Sequence, residues 1–434
     1  MEVVEVKKMG NDLGQAIKIN RLRANMTQAD LANGIISVSY LSKIENGTAE
    51  PPDEIIELLG EKLKINMLDS DEHITDQTII RWFHHLLHSK LDESIRLYNR
   101  IKNNLSSAID KQLLSLIEIH KLCYYSLIQD LDEAEKQIAS LQKSSKKFSD
   151  IQKYYFYKFI GNYHYRKLSY KKALESYQEA EKLNKAELFH KMEEIHDLYY
   201  LIANVASKSR QTHLSLLYSL RALDYYQPNY KLKKCAECQI ILGISYQRLR
   251  EFEKAKASYY HAIDIVEKID NSLLLKLCYQ NIGSMFSDWK QPTDAINYYL
   301  KSYELRKYDS DTMKIIPISS LMKEYYNLGD ISNSKVWLDL GLNLIKSLNP
   351  LDSTYVYEFT VYKHLINGID DTFEDLMTKE VIPFVEEKEL IFEKVFYTKI
   401  LAKFYKDNRK YKLSSHYYEK AYKTIAEITC LERR

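Results

Sequence analysis

Turn-forming residues are scarce in this chain of 434 residues, which contains only 11 Gly and 7 Pro. All-β folds need many turn residues, so this scarcity argues against them and favours long helices joined by short loops. Uninterrupted apolar stretches of about 18 residues, the length of a membrane-spanning helix, are also absent. The composition therefore predicts an all-α protein that has no membrane as a partner.

Cysteine is rare and follows no pattern. An odd number of cysteines at scattered positions does not make a disulfide framework, and free thiols suit a reducing compartment. Residues 1–12 contain no apolar core of signal-peptide length. We therefore expect a cytoplasmic protein. The five cysteines are Cys123, Cys235, Cys238, Cys278 and Cys430.

Signs of catalysis or of a cofactor are weak. His84 and His88 have the i,i+4 spacing of two zinc ligands, but no Glu follows as in HExxH and no third ligand is evident. Cys235 and Cys238 form one isolated CxxC, and so few glycines leave little material for a phosphate-binding loop. We expect no metal site, no cofactor and no enzymatic activity.

The first 66 residues have the start and stop signals of short helices. Thr27 can cap a second helix, with Asp30 three residues on, and Ser37 can cap a third. Asn46-Gly47 can close that third helix, because Gly adopts the left-handed conformation easily. The apolar positions of four helices would form a small core: Leu13, Ile17, Leu22, Leu31, Ala32, Leu41, Ile44, Ile55, Ile56, Leu59 and Leu63.

Two short helices joined by a tight turn are the geometry that places the second helix in a DNA major groove. The string TQADLANGIISVSYLSKIENG, from Thr27 to Gly47, resembles the Cro/repressor-like (XRE) helix-turn-helix family. The resemblance implies a four- to five-helix domain over residues 1–66 and double-stranded operator DNA as its partner. Recognition contacts are expected from Gln28, Ser37, Ser39, Tyr40 and Lys43, and contacts near phosphates from Arg21, Arg23 and Asn46.

Charge supports a different interpretation of this domain. Residues 1–66 hold eight Lys and Arg against ten Asp and Glu, and the whole chain is near neutral at +2. Phosphate contacts supply much of the affinity for DNA, so a single domain this poor in cations should bind weakly. Two domains on two half-sites would solve the difficulty, so the prediction includes a homodimer. The alternative is a helical domain that has lost DNA binding.

Residues 67–74 are polar and acidic, and we place a linker there, followed by repeats over residues 75–434. In the unit that begins at 154, small residues and a tyrosine recur at fixed positions, namely Gly161, Ala173, Tyr177 and Ala180. This pattern resembles the tetratricopeptide repeat. Units would begin near 75, 115, 154, 196, 236, 276, 315, 355 and 395, spaced by 39 to 42 residues. About nine helical pairs of this kind predict a right-handed α-superhelix with a concave groove.

The inner face of such an array is formed by the first helix of each repeat. Amide side chains there offer a donor and an acceptor to a peptide backbone, and Lys or Arg can hold carboxylates. For any single residue, a solvated polar face is the plainer interpretation. As a set, these residues predict a site for a short peptide: Lys158, Asn162, Arg166, Tyr200, Asn204, Gln247, Gln280 and Lys323.

An XRE-type head joined to tetratricopeptide-like repeats resembles the RRNPP family of quorum-sensing regulators over nearly the whole chain, with NprR-like and PlcR-like members and phage arbitrium receptors as the nearest branches. The resemblance implies a short signalling peptide, bound in the groove, that changes the arrangement of two DNA-binding heads. It also implies Asn side chains that hold the peptide backbone, for which Asn162 and Asn204 are the candidates. The alternative is an interaction scaffold similar to the Rap proteins, whose repeats bind a signalling protein.

Overall fold

The computed structural model of the chain describes Gly14 and residues 17–49, 51–63, 76–104, 111–183, 192–347 and 354–432. Every regular element within these ranges is a helix, which confirms the all-α fold class. None of the described helices combines the length and the apolar character needed to cross a bilayer. The chain forms two compact units, residues 1–113 and 114–434. The linker predicted at 67–74 lies outside the described residues, so the domain boundaries stay a prediction.

Four short helices build the head: α1 (residues 17–23), α2 (Gln28–Ala32), α3 (Val38–Glu45) and α4 (Asp53–Leu63). Their core is largely the predicted one and contains Ile17, Leu31, Ala32, Leu41, Ile44, Leu59 and Leu63. The prediction for Leu22 is wrong, because this side chain is 56% exposed. The position one turn after Ile17 is Arg21, and that residue points inward instead.

Hydrogen bonds at the helix starts match the predicted caps. Thr27 and Asp30 form a reciprocal capping box, in which the Asp30 amide donates to the Thr27 hydroxyl and the Thr27 amide donates to the Asp30 carboxylate. The Ser37 hydroxyl accepts a hydrogen bond from the Tyr40 amide at the start of α3. These bonds satisfy amides that a helix leaves unpaired, so they fix where α2 and α3 begin.

The described helices after the head form nine antiparallel pairs. The first helices of the second to seventh pairs begin at 111, 150, 192, 232, 272 and 311, which matches the predicted spacing. The pairs are α5 (Asp76–Leu87) with α6 (Leu91–Asn104), α7 (Lys111–Leu127) with α8 (Leu131–Ser144), α9 (Asp150–Arg166) with α10 (Tyr170–Lys182), α11 (Met192–Lys208) with α12 (Thr212–Tyr226), α13 (Leu232–Arg248) with α14 (Phe252–Lys268), α15 (Ser272–Asp288) with α16 (Pro292–Leu305), α17 (Asp311–Asn327) with α18 (Ile331–Leu344), α19 (Thr354–Asn367) with the segments α20 (Phe373–Asp375), a π-helix (Leu376–Val381) and α21 (Ile382–Glu387), and α22 (Ile391–Asp407) with α23 (Tyr411–Glu432).

A single left-handed residue turns the chain between the two helices of each pair. In the third and fifth pairs it is Leu168 and Arg250. One residue with positive φ reverses a helix within a few residues, so long connections are unnecessary. The full set is Ser89, Gln129, Leu168, Arg210, Arg250, Lys290, Gly329, Gly368 and Arg409.

Small residues and tyrosines of the repeat pattern pack against each other inside each pair. A Cβ atom added to Gly243 would lie 2.5 Å from Cε1 of Tyr259, and one added to Gly161 would lie 2.3 Å from Cε1 of Tyr177. Both tyrosine rings are almost fully buried. The glycine thus makes room for an aromatic ring of the second helix, which explains why the two recur together.

One long-range contact shows that the array curves back on itself. The guanidinium carbon of Arg210, in the turn of the fourth pair, lies 3.4 Å from the ring centroid of Phe392 in the ninth pair. Packed helices are about 8–10 Å apart, so a straight stack would separate these pairs by several tens of ångströms. Curvature over the intervening pairs must therefore bring the two residues together.

Candidate DNA-contact helix and peptide groove

Helix α3 has one face in the head core and one face in solvent. Leu41 and Ile44 are almost fully buried, whereas Ser39 and Lys43 are exposed. Because the buried residues fix the rotation of the helix, its outward face is preset. An outward row of a hydroxyl and a cation on a short capped helix can meet base edges and phosphates.

The remaining predicted DNA contacts lie around this face. Ser37, Arg23 and Asn46 are exposed, and Gln28 and Tyr40 are half-buried. Ser37 has a second role, because its hydroxyl caps α3. The Gln28 amide nitrogen donates to Oε2 of Glu45 at 2.7 Å, so its side chain is held in one orientation.

Arg21 is placed differently from the sequence expectation. Its Nε donates to Oε1 of Glu45 at 2.6 Å, its Nη2 donates to Oε2 at 2.9 Å, and its Nη1 donates to the Met26 carbonyl at 2.8 Å. Only 8% of the Arg21 side chain and 1% of the Glu45 side chain are exposed. Arg21 therefore ties α1 to α3 inside the head rather than facing phosphates.

The pKa values of this pair follow from the contacts. The hydrogen bonds and the charge of Glu45 raise the pKa of Arg21. Burial alone would raise the pKa of Glu45, but hydrogen bonds from Arg21 and Gln28 and the nearby positive charges outweigh it, so the Glu45 pKa is lowered. The pair is therefore ionised at neutral pH.

The first helices of neighbouring pairs are joined by polar contacts. Gln247 donates to Oδ2 of Asp288 at 2.7 Å, and Gln280 donates to the Ser320 hydroxyl at 2.9 Å. Nζ of Lys323 lies 3.1 Å from Oε2 of Glu358. Three residues predicted to bind a peptide thus bond to the next pair, and each could meet a ligand only by exchanging or sharing these bonds.

Lys158 is also placed differently from the sequence expectation. Only 4% of its side chain is exposed, and its Nζ lies 2.7 Å from Oε2 of Glu194. Burial alone would lower its pKa, but Glu194, Tyr154 and Asp197 raise the pKa of Lys158 well above its usual value. The residue bridges α9 and α11 as a buried cation instead of lining an open surface.

Asn162 and Asn204 form a matched pair on adjacent first helices. Oδ1 of Asn162 accepts a hydrogen bond from the Tyr177 hydroxyl at 2.7 Å, and Nδ2 of Asn204 donates to the Tyr165 hydroxyl at 3.3 Å. Among the described residues, Nδ2 of Asn162 and Oδ1 of Asn204 make no hydrogen bond. One helix therefore offers a donor and the next an acceptor, which is what a peptide unit requires.

The other two predicted groove residues flank this pair. Tyr200 is half-buried on α11, with Nζ of Lys234 lying 4.0 Å from its ring centroid. Arg166 is the exposed last residue of α9. On each of α9 and α11, the Asn lies one turn before a cation, Arg166 or Lys208, on the same helix face.

Sequence analysis missed the residues that orient these side chains. Tyr177 holds Asn162, and its recurrence in the repeat pattern was the available signal. Glu45 holds both Arg21 and Gln28, but it lies 24 residues from Arg21 along the chain. No local spacing identifies such a partner. Within the described ranges, no group of three or more His, Cys, Asp or Glu residues could hold a metal ion.

Family models match both parts of the chain. A helix-turn-helix family model matches residues 17–69, and a tetratricopeptide repeat model matches residues 235–307. The first match covers the described head, and the second covers the fifth and sixth helical pairs.

Curated relatives match over longer stretches. The chain is 33% identical to transcriptional activator NprA of Geobacillus stearothermophilus over 406 residues, which cover 92% of this chain and 99% of that protein. It is 23% identical to response regulator aspartate phosphatase A of Bacillus subtilis (strain 168), over 81% of this chain and 95% of that protein.

Solved structures share the fold. The apo form of the quorum sensor NprR from B. thuringiensis superposes with a TM-score of 0.69 at 19% identity, covering 80% of this chain and 98% of that one. NprR in complex with its cognate peptide NprX gives a TM-score of 0.61 at 19% identity, covering 82% and 100%. Because a relative 33% identical is matched along nearly its whole length, the chain belongs to the RRNPP family of peptide-sensing regulators.

Proposed function

We propose that this chain is a cytoplasmic, peptide-responsive transcription regulator and not an enzyme. Two heads of a homodimer bind a two-fold operator, and the first helices of the array bind a short signalling peptide that changes the arrangement of the dimer and its DNA binding. The single observation that carries the proposal is α3, whose buried Leu41 and Ile44 hold Ser39 and Lys43 outward.

The relatives support the same function. The protein from Geobacillus stearothermophilus is named a transcriptional activator, and NprR has been solved with its cognate peptide. Similarity to an aspartate phosphatase keeps a second candidate open, a scaffold whose repeats bind a response-regulator-like protein. The head distinguishes the two, because a scaffold of that kind has no use for an outward α3.

Selection of operator DNA tests the first part. The full chain, incubated with a random double-stranded DNA library, should enrich a two-fold symmetric site. Binding to that site should weaken steeply with salt. The double variant Ser39→Ala/Lys43→Ala should lose sequence-specific binding, whereas Lys90→Ala, which removes an exposed lysine in the first helical pair, should not. Enrichment of no site, with capture of a receiver-domain protein instead, would favour the scaffold.

Thermal stability tests the peptide. Synthetic peptides that tile any small reading frame beside the gene should include one that raises the Tm, since a ligand at a hundredfold excess over Kd adds about 2.7 kcal/mol. Asn162→Ala and Asn204→Ala should abolish that rise, because each removes a group that can bond the peptide backbone. Gln239→Ala, a half-buried amide on α13 outside the predicted set, should leave it intact.

A further inference from the structure

Three successive helical pairs have a cation as the last residue of their first helix. From the second pair to the seventh, the last residues of the first helices are Leu127, Arg166, Lys208, Arg248, Asp288 and Asn327. Cations complement the dipole at any helix C-terminus. If that were their only role here, the ends of α7, α15 and α17 should carry them as well, and they do not.

Arg248 differs from the other two cations. Its Nη1 donates to the Ser207 carbonyl at 2.7 Å, so its guanidinium binds the last turn of the neighbouring helix α11. Arg166 and Lys208 are exposed, and neither has a carboxylate partner among the residues that the structure describes. Other cations of the array do have one on a neighbouring helical pair, as in the pairs Lys158–Glu194 and Lys276–Asp309.

The two exposed cations lie beside the asparagine pair. Arg166 follows Asn162 by four residues on α9, and Lys208 follows Asn204 by four residues on α11. Residues four apart share a helix face about one turn, or 5.4 Å, from each other. The 3.3 Å contact between Tyr165 and Asn204 shows that α9 and α11 are adjacent at this level. Two amides and two cations therefore share one surface.

We infer that Arg166 and Lys208 form a carboxylate subsite, so that the peptide held by Asn162 and Asn204 carries a negative charge at that point. This inference rests on the proposed peptide receptor and specifies its ligand. The backbone bonds the amides, and a carboxylate of an Asp or Glu side chain or of the peptide C-terminus reaches the two cations. A guanidinium and an ammonium form charge-assisted hydrogen bonds with such a group.

Selection from random peptides tests the inference and does not require the sequence of the natural signal. Immobilised full-length chain is incubated with two random libraries of short peptides, one with free and one with amidated C-termini, and bound peptides are sequenced. Enrichment of Asp or Glu at one position in both libraries identifies a side-chain carboxylate. Retention from the free library alone identifies the C-terminal carboxylate.

Variants then connect the selected group to the two residues. Arg166→Ala/Lys208→Ala should weaken the enriched peptide by about tenfold to a hundredfold. Arg166→Glu/Lys208→Glu should enrich peptides with Lys or Arg at that position. As a control, Lys233→Ala removes an exposed lysine near the start of α13, a helix outside the proposed subsite, and should have no effect.

The outcomes separate this inference from the proposed function. If the wild-type chain retains no peptide from either library, the peptide receptor itself is wrong and the subsite with it. If it retains peptides without a preference for a carboxylate, or binds them equally well after the double substitution, the receptor stands and the subsite is overturned.

Discussion

Among the described residues, both the head and the array contain an ion pair with an almost fully buried cation, Arg21–Glu45 and Lys158–Glu194. In the head, Arg21 meets a carboxylate 24 residues away, and in the array Lys158 meets one 36 residues away. Arg21 lies just before the helix-turn-helix string and was expected near DNA phosphates. Lys158 lies just before Asn162 and was expected to contact the peptide. A few residues on, Arg23 and Arg166 remain exposed. Proximity to a motif therefore does not identify a ligand contact, because a carboxylate from a distant helix decides which cation turns inward.

In the array, loss of the cation should destabilise the protein more at the buried pair Lys158–Glu194 than at the more exposed pair Lys323–Glu358. Lys158→Met removes the cation from a Glu194 side chain that is only 14% exposed, and breaking a buried pair in this way costs about 3 to 5 kcal/mol. Lys323→Met is the matched control, because it removes the same kind of bridge to Glu358 from a side chain that is 35% exposed. It should cost about 1 kcal/mol or less. Hydrogen exchange of the amides in α9 and α11, or in α17 and α19, measures both effects, and equal losses would contradict the distinction.

In the head, loss of the buried cation Arg21 should likewise destabilise the protein more than loss of the exposed cation Arg23. Arg21→Met should lower the free energy of opening α3 by about 3 kcal/mol, since Glu45 loses its partner. Arg23→Met should change it by about 0.5 kcal/mol at most, because this side chain is exposed. Hydrogen exchange of α3 amides reports the difference. Similar values for the two variants would mean that the buried pair stabilises α3 no more than an exposed arginine does.

The pH dependence of the head gives a second measurement on the same pair. The folded pKa of Glu45 lies below its ordinary value of 4.5, so its contribution is present above that pH and is lost as the pH falls through the lower folded pKa. Glu45→Gln should therefore be less stable than the wild type at neutral pH and should lose less stability on acidification.

The head and the array also differ in which atoms pack closely against their glycines. A Cβ added to Gly14 of the head would lie 2.0 Å from the Ile44 carbonyl oxygen, whereas one added to Gly243 of the array would meet the Tyr259 ring at 2.5 Å. A backbone yields less than a side chain, so Gly14→Ala should destabilise its region more than Gly243→Ala. Overpacking of the second kind costs about 1 to 3 kcal/mol, partly offset by the helix propensity of Ala. Local hydrogen exchange ranks them, with Lys233→Ala as the neutral reference.

The stacking of Arg210 on Phe392 should have the smallest energetic effect. An exposed cation–π contact contributes about 0.5 to 1 kcal/mol, so it should favour the curved array only weakly. Arg210→Ala and Phe392→Ala should each raise the radius of gyration measured by small-angle X-ray scattering, and the double variant should add little. Arg250→Ala, at the same position of the next turn, serves as the control. An equal response to that variant would show that the contact does not set the curvature.

Much of the candidate site could be predicted because its signals are local. Ser37 and Thr27 cap the helices that they were expected to cap, since a cap involves residues within one turn. Ser39 and Lys43 were chosen from the resemblance to the XRE family, and Asn162 and Asn204 from their place on the inner face of the repeats. The roles of all four as ligand contacts stay proposals. Arg21 lies one turn after Ile17, so the helical period places it on the core face of α1. The partners of Arg21 and Lys158 could not be predicted, because no periodicity shows which charges will meet across helices.

By itself, the sequence determined the helical class, the head of four short helices and the nine helical pairs with their spacing. Each depends on contacts three or four residues apart or on one left-handed residue, so a single stretch of chain contains all the information. Only the tertiary structure decided which cations are buried, which atoms of Asn162 and Asn204 remain available, and that Arg210 reaches Phe392. The first two outcomes depend on which side chains meet across packed helices, and the third on small rotations between successive pairs that add up along the array, so no local pattern encodes them.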